Sequence, residues 1–554
     1  MTKYAFVIDQ RKCIGCHACT VACKAEHDVP IGVNRTWVKY IERGTFPDTR
    51  RHFLVNRCNH CDNAPCVAIC PTKALYKRDD GIVDFDARRC IGCKSCMQAC
   101  PYDALYIDPS SHTAAKCNYC AHRTELGLEP ACVVVCPERA IIAGDMQDTQ
   151  TEIAQLIARE PVRVRKPEQG TGPNVYYLGA DEAAINPEES LQELPHMTMW
   201  STLLQSQREA GHAFDSARSL RPEKQRTAFA SPQQGSTLDL PAISVSDQAG
   251  AFHVARSHIV YDPPKERSPW GWMVSAYLGT KSIGAGAMLV AAAILILHGF
   301  QGTMSTGWHT LLGISAPIIG GLGIALTLLL LVADLKRPAR ALFLLTKGNP
   351  TSWLVWGGYI LGVFGLVEVL WFGAALFHLA TLLQILLLPT LLLAVAAAGY
   401  TAFLFGQAEG RDFWQSPLLL PILLVQAVLA GAASLGIVSW LPGADGTLTR
   451  LFTPLLLSAI VVHICLVLIE VFGSHSSRHI AAAAHTMMTA RLRPFFLYLF
   501  LGAGSLLPVV LLVLALLLPG AQLLLLGLAG LLALSGLFAY EHCFVVAGQA
   551  VPLS

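Results

Sequence analysis

Sixteen of the 18 cysteines fall into four groups, the last of which ends at residue 136. Two groups have the spacing C-x2-C-x2-C-x3-C, one has C-x2-C-x4-C-x3-C, and one has C-x2-C-x11-C-x3-C. Three closely spaced thiolates can bind one face of a 4Fe-4S cubane, and the fourth cysteine of such a group can bind a second cluster. The groups are Cys13, Cys16, Cys19 and Cys23; Cys58, Cys61, Cys66 and Cys70; Cys90, Cys93, Cys96 and Cys100; and Cys117, Cys120, Cys132 and Cys136.

Zinc is the main alternative, because two C-x2-C pairs also form a tetrahedral thiolate site. A zinc site needs no third cysteine in each loop, so the pattern favours iron-sulfur clusters. The remaining Cys465 and Cys543 lie in apolar segments, where we expect them to be buried as small hydrophobic residues. Four polar side chains between the ligands can tune cluster potentials through hydrogen bonds to sulfur. They are Asn59, His60, Lys94 and Tyr119.

The charged residues divide the chain into two unlike parts. Residues 1–268 contain 63 charged residues, whereas residues 269–554 contain only 17. A mean of 14% charged residues over 554 positions therefore excludes one ordinary soluble protein. Both parts are close to neutral, so the composition indicates no nucleic-acid partner.

Hydropathy indicates the elements of the second part. Eight of its apolar segments reach the roughly 20 residues that a bilayer requires. In a part so poor in charge, such segments predict transmembrane helices rather than the core of a soluble domain. They are expected at residues 271–298, 309–333, 353–377, 380–405, 417–440, 451–473, 495–518 and 521–543.

A connector separates the two parts. Residues 187–268 are rich in Pro, Ser, Gln and Glu and show no sustained apolar period. That composition predicts an extended linker. Because it is too long for a simple loop, part of it is expected to lie against the cysteine-rich domain or a partner. The predicted divisions are therefore 1–186, 187–268 and 269–554.

The four cysteine groups, with the stretch PERAIIAGDM after the last, resemble a known family. It is the four-cluster ferredoxin subunit of the dimethyl sulfoxide and polysulfide reductase type of molybdopterin enzyme. Over residues 1 to about 190, the resemblance implies an α+β ferredoxin-like domain with four 4Fe-4S clusters. It also implies a nested exchange of the last cysteines, although spacing alone equally allows exchange between groups adjacent in sequence. The implied ligand sets are Cys13, Cys16, Cys19 and Cys136; Cys117, Cys120, Cys132 and Cys23; Cys58, Cys61, Cys66 and Cys100; and Cys90, Cys93, Cys96 and Cys70.

The second part resembles the eight-helix membrane subunit of the polysulfide reductase type. The resemblance rests on SPWGWMVSAYLGTKSIGAGA at the first predicted helix, VADLKRPARALFLLTKGNPTSW after the second, and the terminal AGQAVPLS. It implies an all-α polytopic domain that exchanges electrons with a membrane quinone near the ferredoxin face and contains no haem. Four histidines fall on different predicted helices and show no axial pair. They are His298, His309, His378 and His463.

Ionisable side chains in the predicted helices are the first candidates for chemistry in the membrane, because each costs about 2.5–3.5 kcal/mol to insert. Lys281 is the clearest, roughly 15 Å along the first helix from Gly271. Ion pairs and hydrogen bonds between helices explain such residues equally well, as aromatic belts explain the aromatic ones. The candidates for a quinone site or a proton path are Trp270, Tyr277, Lys281, Asp334, Arg337, Glu368, His463 and Glu470.

Together the two resemblances imply an electron-transfer and membrane-anchor subunit whose own reaction is quinone redox chemistry. Electrons would pass through four clusters between menaquinone or ubiquinone and a separate subunit with a molybdenum or tungsten bis-pterin cofactor. The expected substrate of that partner is a sulfur compound such as sulfite, thiosulfate or polysulfide. The alternative is an iron-sulfur and ion-translocating module of a larger quinol-oxidising respiratory complex that delivers electrons to cytochromes.

Loop charges predict the orientation. Eight lysines and arginines occupy the loops on the ferredoxin side, whereas Arg450 alone lies in the loops on the opposite side. By the positive-inside rule, the ferredoxin domain and both termini are expected in the cytoplasm, with the helices in the inner (cytoplasmic) membrane. The first residues, MTKYAFVIDQRKC, show neither an apolar export signal nor a twin arginine. A reducing cytosol would also favour metal binding over disulfides.

Overall fold

A computed structural model of the chain describes residues 2–44, 47–186, 257–266, 268–300, 304–440, 446–489 and 491–554. Most of the predicted linker, residues 187–256, lies outside the described residues. The rest forms an α+β domain followed by an all-helical domain, which confirms the predicted fold class.

The first domain is built from short strands and short helices around the cysteine loops. The strands are β1 (Tyr4–Asp9), β2 (Thr36–Arg43), β3 (Arg50–Arg57), β4 (Leu75–Lys77), β5 (Val83–Phe85), β6 (Leu105–Ile107), β7 (Ala114–Lys116), β8 (Ile141–Asp145), β9 (Val162–Arg163), β10 (Val175–Leu178) and β11 (Ser257–Tyr261). The helices are α1 (Ala18–Glu26), α2 (Pro65–Ala68), α3 (Ser95–Ala99), α4 (Ala121–Thr124), α5 (Ala131–Val134), α6 (Glu152–Arg159) and α7 (Glu182–Ile185).

A four-stranded sheet in the order β8-β1-β10-β9 lies at the centre of this domain. Strand β1 runs parallel to β10 and antiparallel to β8. Its last five residues, AFVID, are all buried, as expected for a strand covered on both faces. Two hairpins, β4–β5 and β6–β7, follow the second and third cysteine groups.

The last residues of the predicted linker belong to this domain. Strand β11 pairs antiparallel with β2 and extends the β2–β3 sheet to three strands. Tyr261 of β11 packs against Tyr40 and against His17 of the first cysteine loop, with ring centroids 5.3 and 5.2 Å apart. The chain is thus tied to the ferredoxin domain immediately before it enters the helical domain.

Eight helices of the described residues are long and apolar enough to span a membrane, as predicted. Most bounds agree with the predicted segments to within a few residues, but the last helix runs on to Ala550 instead of ending at residue 543. It continues because its last turns are buried against the first domain. The helices are α8 (Trp272–Leu297), α9 (Thr306–Ala333), α10 (Trp353–Leu376), α11 (Ala380–Gly406), α12 (Leu419–Val438), α13 (Gly446–Phe472), α14 (Pro494–Leu517) and α15 (Gln522–Ala550). Two short helices, Phe343–Thr346 and Arg478–Met487, lie in loops.

Helix α8 occupies the middle of the bundle, in contact with α9, α11, α12 and α15. Gly286 of α8 faces Gly431 of α12 so closely that a Cβ on either would overlap the backbone of the other helix. Small residues allow this close approach in a membrane, where helices gain from van der Waals packing. The expected burial of both lone cysteines is wrong for one of them. Cys543 is buried, but Cys465 is exposed because α13 turns part of its apolar surface outward.

Replacing Gly286 by leucine is expected to destabilise the helical domain, because the new side chain would overlap the carbonyl oxygen of Ala427. Overpacking of this kind costs about 1–3 kcal/mol or more. Thermal unfolding of the detergent-solubilised chain measures the effect. Gly321→Leu in α9 is the control, since a Cβ there meets nothing within 4 Å. Equal melting temperatures for the two variants would contradict the close contact between α8 and α12.

Candidate functional site

The first and third cysteine groups adopt the same loop conformation. Gly15 and Gly92 both have a φ of +71°, and the residues two positions later, His17 and Lys94, have φ of +60° and +64°. Glycine takes this left-handed conformation without strain. Each loop runs into a helix, α1 or α3, that carries the third cysteine near its start. The local sequence therefore folds both loops into the same three-cysteine arrangement.

The fourth cysteine of each group lies with the first three cysteines of another group. One cavity is lined by the loop thiols of the first group and by Cys136. A second is lined by those of the third group and by Cys70. In the other two sets, Cys23 interacts with Cys117, Cys120 and Cys132, and Cys100 lies near Cys58, Cys61 and Cys66.

The cysteine sets differ from a site for a single ion. No three cysteine, histidine, aspartate or glutamate side chains in the described parts of the chain are placed to hold one metal ion. A zinc site requires four such ligands around one point. A cubane differs, because each of its four cysteines binds a different iron atom.

Several donors point at the cysteine sulfurs. Backbone N–H groups of Ala114 and Ala140 donate to Cys90 Sγ and Cys136 Sγ at 3.3 and 3.2 Å.

Burial raises the pKa of the Cys93 thiol to about 12. Thiolate formation there needs a nearby positive charge, which iron supplies when it binds.

Five buried polar side chains beside the cysteines have atoms without a hydrogen-bond partner among the described residues. Buried polar atoms are nearly always paired, so each such atom needs an explanation, for example an ion or ligand. Four of the five have an unpaired donor, and iron-sulfur clusters fit those positions because cluster sulfur atoms accept hydrogen bonds. The unpaired atom of Asn118 is an amide oxygen, which cannot donate to sulfur. The five side chains are those of Thr20, Arg57, Asn59, His60 and Asn118.

An apolar cavity of about 120 Å³ lies between the third cysteine loop and the helical domain. Ile91, Cys93 and Ser95 line it on the loop side. Trp270, residues of α8, α9, α10 and α11, and residues of the segment between α9 and α10 line the rest. Ile91 and Cys93 also line the cavity of the thiol set that contains Cys70. The thiol set and the apolar cavity therefore share a wall.

The helical domain holds the backbone beside this wall. Arg340 donates to the Cys90 carbonyl at 2.9 Å, and Asn349 donates to the Cys70 carbonyl at 3.0 Å. The predicted candidate Arg337 donates to a carbonyl in the loop before β7 at 2.8 Å. It is thus an interface residue that does not line the apolar cavity.

Three predicted quinone residues, Trp270, Tyr277 and Asp334, line the apolar cavity. The Trp270 ring N–H donates to the Cys93 carbonyl at 3.1 Å. Its backbone N–H donates to the Gln549 side chain at 3.0 Å, and that side chain donates back to the Trp270 carbonyl at 2.9 Å. The tryptophan is therefore fixed between the cysteine loop and the cavity.

An ion pair joins the third cysteine loop to the end of α9. Lys94, which is buried, donates to Asp334 at 2.9 Å. Burial raises the pKa of the Asp334 carboxyl, and Lys94 only partly opposes that effect. A carboxyl group with a raised pKa thus lines the cavity, paired with a lysine that lies between Cys93 and Cys96 in the sequence.

Lys281 lies one turn beyond Tyr277 on α8, deeper than the cavity wall. Its ammonium donates to the Ala398 carbonyl at 2.8 Å and to the Thr401 hydroxyl at 2.5 Å. It also lies 5.3 Å from the centroid of the Tyr400 ring. Tyr400 lines the cavity but was not predicted, because a lone tyrosine in an apolar helix carries no distinctive spacing.

The other predicted residues lie away from the cavity. The carboxylate of Glu368 is buried facing α9 and has no hydrogen-bond partner in the described part of the chain. The Gln426 amide donates to His463 Nε2 at 3.2 Å, and Glu470 accepts from a tyrosine of α15 at 3.2 Å. Glu541, buried beside Gln426, was missed, although the rule that singled out the other intramembrane charges applies to it.

A further contact that the sequence did not predict joins the third cysteine group to the carboxyl-terminal helix. Gln98, between Cys96 and Cys100, donates to the Gln549 side chain at 2.6 Å and accepts from Arg411 at 2.8 Å. Glutamines carry no sequence signal for such a role, since only the fold brings residues 451 positions apart into contact.

The fold and the cysteine loops define a membrane-anchored iron-sulfur protein of electron transfer. Known families agree with this class: the family "4Fe-4S dicluster domain" matches residues 12–75 and 49–146. The family "Polysulphide reductase, NrfD" matches residues 263–552, more than half of the chain. The chain therefore belongs to the polysulphide reductase NrfD family, with a 4Fe-4S region ahead of the family domain.

Individual relatives match about a third of the chain. A tetrathionate reductase subunit of Salmonella typhimurium is 47% identical over 189 residues, 33% of this chain and 76% of the relative. A polysulfide reductase chain of Wolinella succinogenes is 42% identical over 181 residues, 32% of this chain and 94% of the relative. Arsenate respiratory reductase iron-sulfur subunit ArrB of a Shewanella species is 34% identical over 226 residues, 32% of this chain and 96% of the relative. The predicted fusion of an iron-sulfur subunit with a membrane subunit is confirmed.

Proposed function

We propose that this chain carries electrons through four 4Fe-4S clusters between a catalytic partner and a membrane quinone. The observation that carries the proposal is that Cys93 lines both a four-thiol cavity and the apolar cavity between the helices. When bound, each cluster supplies a one-electron carrier. The residues of this chain hold the carriers, fix the last one against the membrane domain and provide the adjoining apolar site.

We assign the cysteines to clusters by their neighbours. Cys136 lies with the first group and Cys23 with the fourth, which favours nested exchange over exchange between adjacent groups. Interactions of Cys19 with Cys132, of Cys117 with Cys58 and of Cys96 with Cys66 support the following order, which ends at the membrane domain. The first cluster takes Cys13, Cys16, Cys19 and Cys136; the second Cys117, Cys120, Cys132 and Cys23; the third Cys58, Cys61, Cys66 and Cys100; and the fourth Cys90, Cys93, Cys96 and Cys70.

Menaquinone or ubiquinone is the proposed occupant of the apolar cavity. Trp270 and Tyr277 offer aromatic surface and a hydroxyl group, and Asp334 offers a carboxyl group of raised pKa. Conversion of a quinone to a quinol takes up two electrons and two protons. Tyr277 and Asp334 are the cavity residues that we propose to exchange those protons, while the loop of Cys93 adjoins the electron source.

Buried polar groups deeper in the bundle support a proton path. Lys281 interacts with Glu541, whose carboxyl lies beside Gln426 and thus near His463. Glu470 lies beside a serine of the loop between α11 and α12, at the ferredoxin face. The same groups favour the alternative function, an ion-translocating module of a quinol-oxidising complex that passes electrons to cytochromes.

A catalytic subunit with a molybdenum or tungsten bis-pterin cofactor is the proposed partner of the ferredoxin domain. Relatives named as components of tetrathionate reductase and of polysulfide reductase support a sulfur compound, such as sulfite, thiosulfate or polysulfide, as its substrate. Cys16 is exposed, so the first cluster is the natural point of exchange with this partner.

We propose that the ferredoxin domain and both termini lie in the cytoplasm. Ser554 donates to Asp103 of the ferredoxin domain at 3.2 Å, so the carboxyl terminus is on the ferredoxin side. The loops on that side also carry most of the lysines and arginines of the membrane part. Positive loops remain on the cytoplasmic side of the inner membrane.

Serine variants test the ligand sets. The anaerobically purified chain is expected to contain about 16 iron and 16 sulfide atoms, and each variant that loses one cluster about 12. Cys13→Ser and Cys136→Ser should change the same EPR signal, whereas Cys23→Ser should change a different one. A common signal for Cys13→Ser and Cys23→Ser would contradict nested exchange, and an iron-free preparation rich in zinc would contradict the clusters.

Filling the apolar cavity tests the quinone site. The dithionite-reduced chain, freed of excess reductant, is mixed with a short-chain quinone, and reoxidation of the clusters is followed by absorbance. Gly358→Leu should slow it about tenfold, equivalent to about 1.4 kcal/mol of lost binding, because the new side chain enters the cavity beside Leu344. Gly362→Leu, one turn along α10 in open space, is the matched control. Equal rates in both variants, at equal iron content, would place the quinone elsewhere.

A reporter fused after Ser554 tests the orientation. Alkaline phosphatase, which is active only outside the cytoplasm, should be inactive there, and green fluorescent protein should be fluorescent. Both reporters are compared with fusions in the loop between α12 and α13, on the opposite face. An active phosphatase at the carboxyl terminus would show that the ferredoxin domain faces outward.

A further inference from the structure

Arg57 is a buried cation in the interior of the ferredoxin domain. It ends β3, directly before Cys58, and is only 1% exposed. Its Nη1 donates to Cys132 Sγ at 3.2 Å, and its guanidinium lies 4.4 Å from the centroid of the Phe6 ring. Nε and Nη2 have no hydrogen-bond partner in the described part of the chain. Two of the three guanidinium nitrogens thus remain free to donate to a further acceptor.

The side chains that interact electrostatically with this guanidinium are thiols rather than carboxylates. They belong to Cys132 and Cys117 of the second cluster and to Cys19 of the first. A buried charge without a counter-ion is strongly unfavourable. A cubane with its four thiolates is an anion, so cluster binding would supply the missing counter-charge. The second cluster provides two of the three thiols and the hydrogen-bonded sulfur.

Other buried cations of this domain have different partners. Lys94 pairs with Asp334, which offsets its charge. Lys116 donates to two main-chain carbonyls, which bind its ammonium without adding a negative charge. Arg165 is as buried as Arg57, but it donates to Asn56 and to main-chain carbonyls and to no cysteine sulfur. Arg165 is therefore a matched control for Arg57.

We infer that Arg57 is a positioning residue whose fixed positive charge raises the reduction potential of the second cluster. Reduction adds one electron to the cluster, forms or breaks no bond and needs no proton. The anion becomes more negative, so a fixed cation and an N–H donor at its sulfur stabilise the reduced form more than the oxidised form. Arg57 thereby favours an electron on the second cluster over the exposed first cluster. The inference rests on the proposed ligand sets.

Neutral and charge-retaining variants test the inference in the full chain. Arg57→Met and Arg57→Gln remove the charge, Arg57→Lys keeps it, and Arg165→Gln removes a charge of equal burial elsewhere. Each protein is purified anaerobically, its iron and sulfide are measured, and its clusters are titrated with redox mediators by EPR. In both neutral variants, the midpoint potential of one cluster should fall by about 59 mV. For one electron at a fixed solution potential, that shift decreases the ratio of reduced to oxidised cluster about tenfold.

The other two proteins and the iron content decide the interpretation. In Arg57→Lys, the midpoint potential should lie close to that of the unsubstituted chain. In Arg165→Gln, all four midpoint potentials should equal those of the unsubstituted chain. Four unchanged midpoints in an iron-replete Arg57→Met or Arg57→Gln would overturn the inference. Loss of a cluster in the neutral variants but not in Arg57→Lys would support it, whereas loss in Arg57→Lys as well would overturn it. An unsubstituted chain without four clusters would instead refute the proposed function.

Discussion

The third cysteine loop is held against the ends of the membrane helices, and this contact decides how the two domains can exchange electrons. Electron tunnelling falls steeply with distance, so the last carrier and the proposed quinone must be held close together. The carbonyls of Cys70 and Cys90 accept hydrogen bonds from the loop after α9, and the Cys93 carbonyl accepts one from Trp270. Because backbone groups are held, the cysteine positions are fixed from the membrane side.

The two halves meet a common difficulty, the burial of charge in a medium of low dielectric. In the membrane domain, Lys281 is surrounded by a carbonyl, a hydroxyl and a tyrosine ring, with the carboxyl group of Glu541 as its ionisable neighbour. In the ferredoxin domain, the proposed clusters would bring cationic iron to the cysteine loops and an anionic neighbour to Arg57. In both halves, a buried cation thus lies near a group that can carry negative charge. Removing one member of such a pair is expected to destabilise the charged form of the member that remains.

The sequence predicted those features that depend on local spacing. The cysteine groups and the apolar segments are short-range patterns, so the cluster loops and eight helices could be read from them. Trp270, Tyr277 and Asp334 were found because they stand where helices begin or end at the ferredoxin face. Residues that matter only through tertiary contact gave no such signal. Gln98 forms a hydrogen bond with Gln549, 451 positions away in the sequence. Tyr400 is recognised as a site residue only in the folded chain, where it lines the apolar cavity.

Photolabelling tests whether a quinone binds at the wall that the apolar cavity shares with the proposed fourth cluster. Membranes containing the chain are illuminated with an azidoquinone, and the labelled peptides are identified by mass spectrometry. We predict adducts in residues 270–277 and 400–404, which excess unlabelled quinone abolishes. Adducts at the opposite face instead, beside the stacked rings of His309 and His378, would refute a quinone site at this wall.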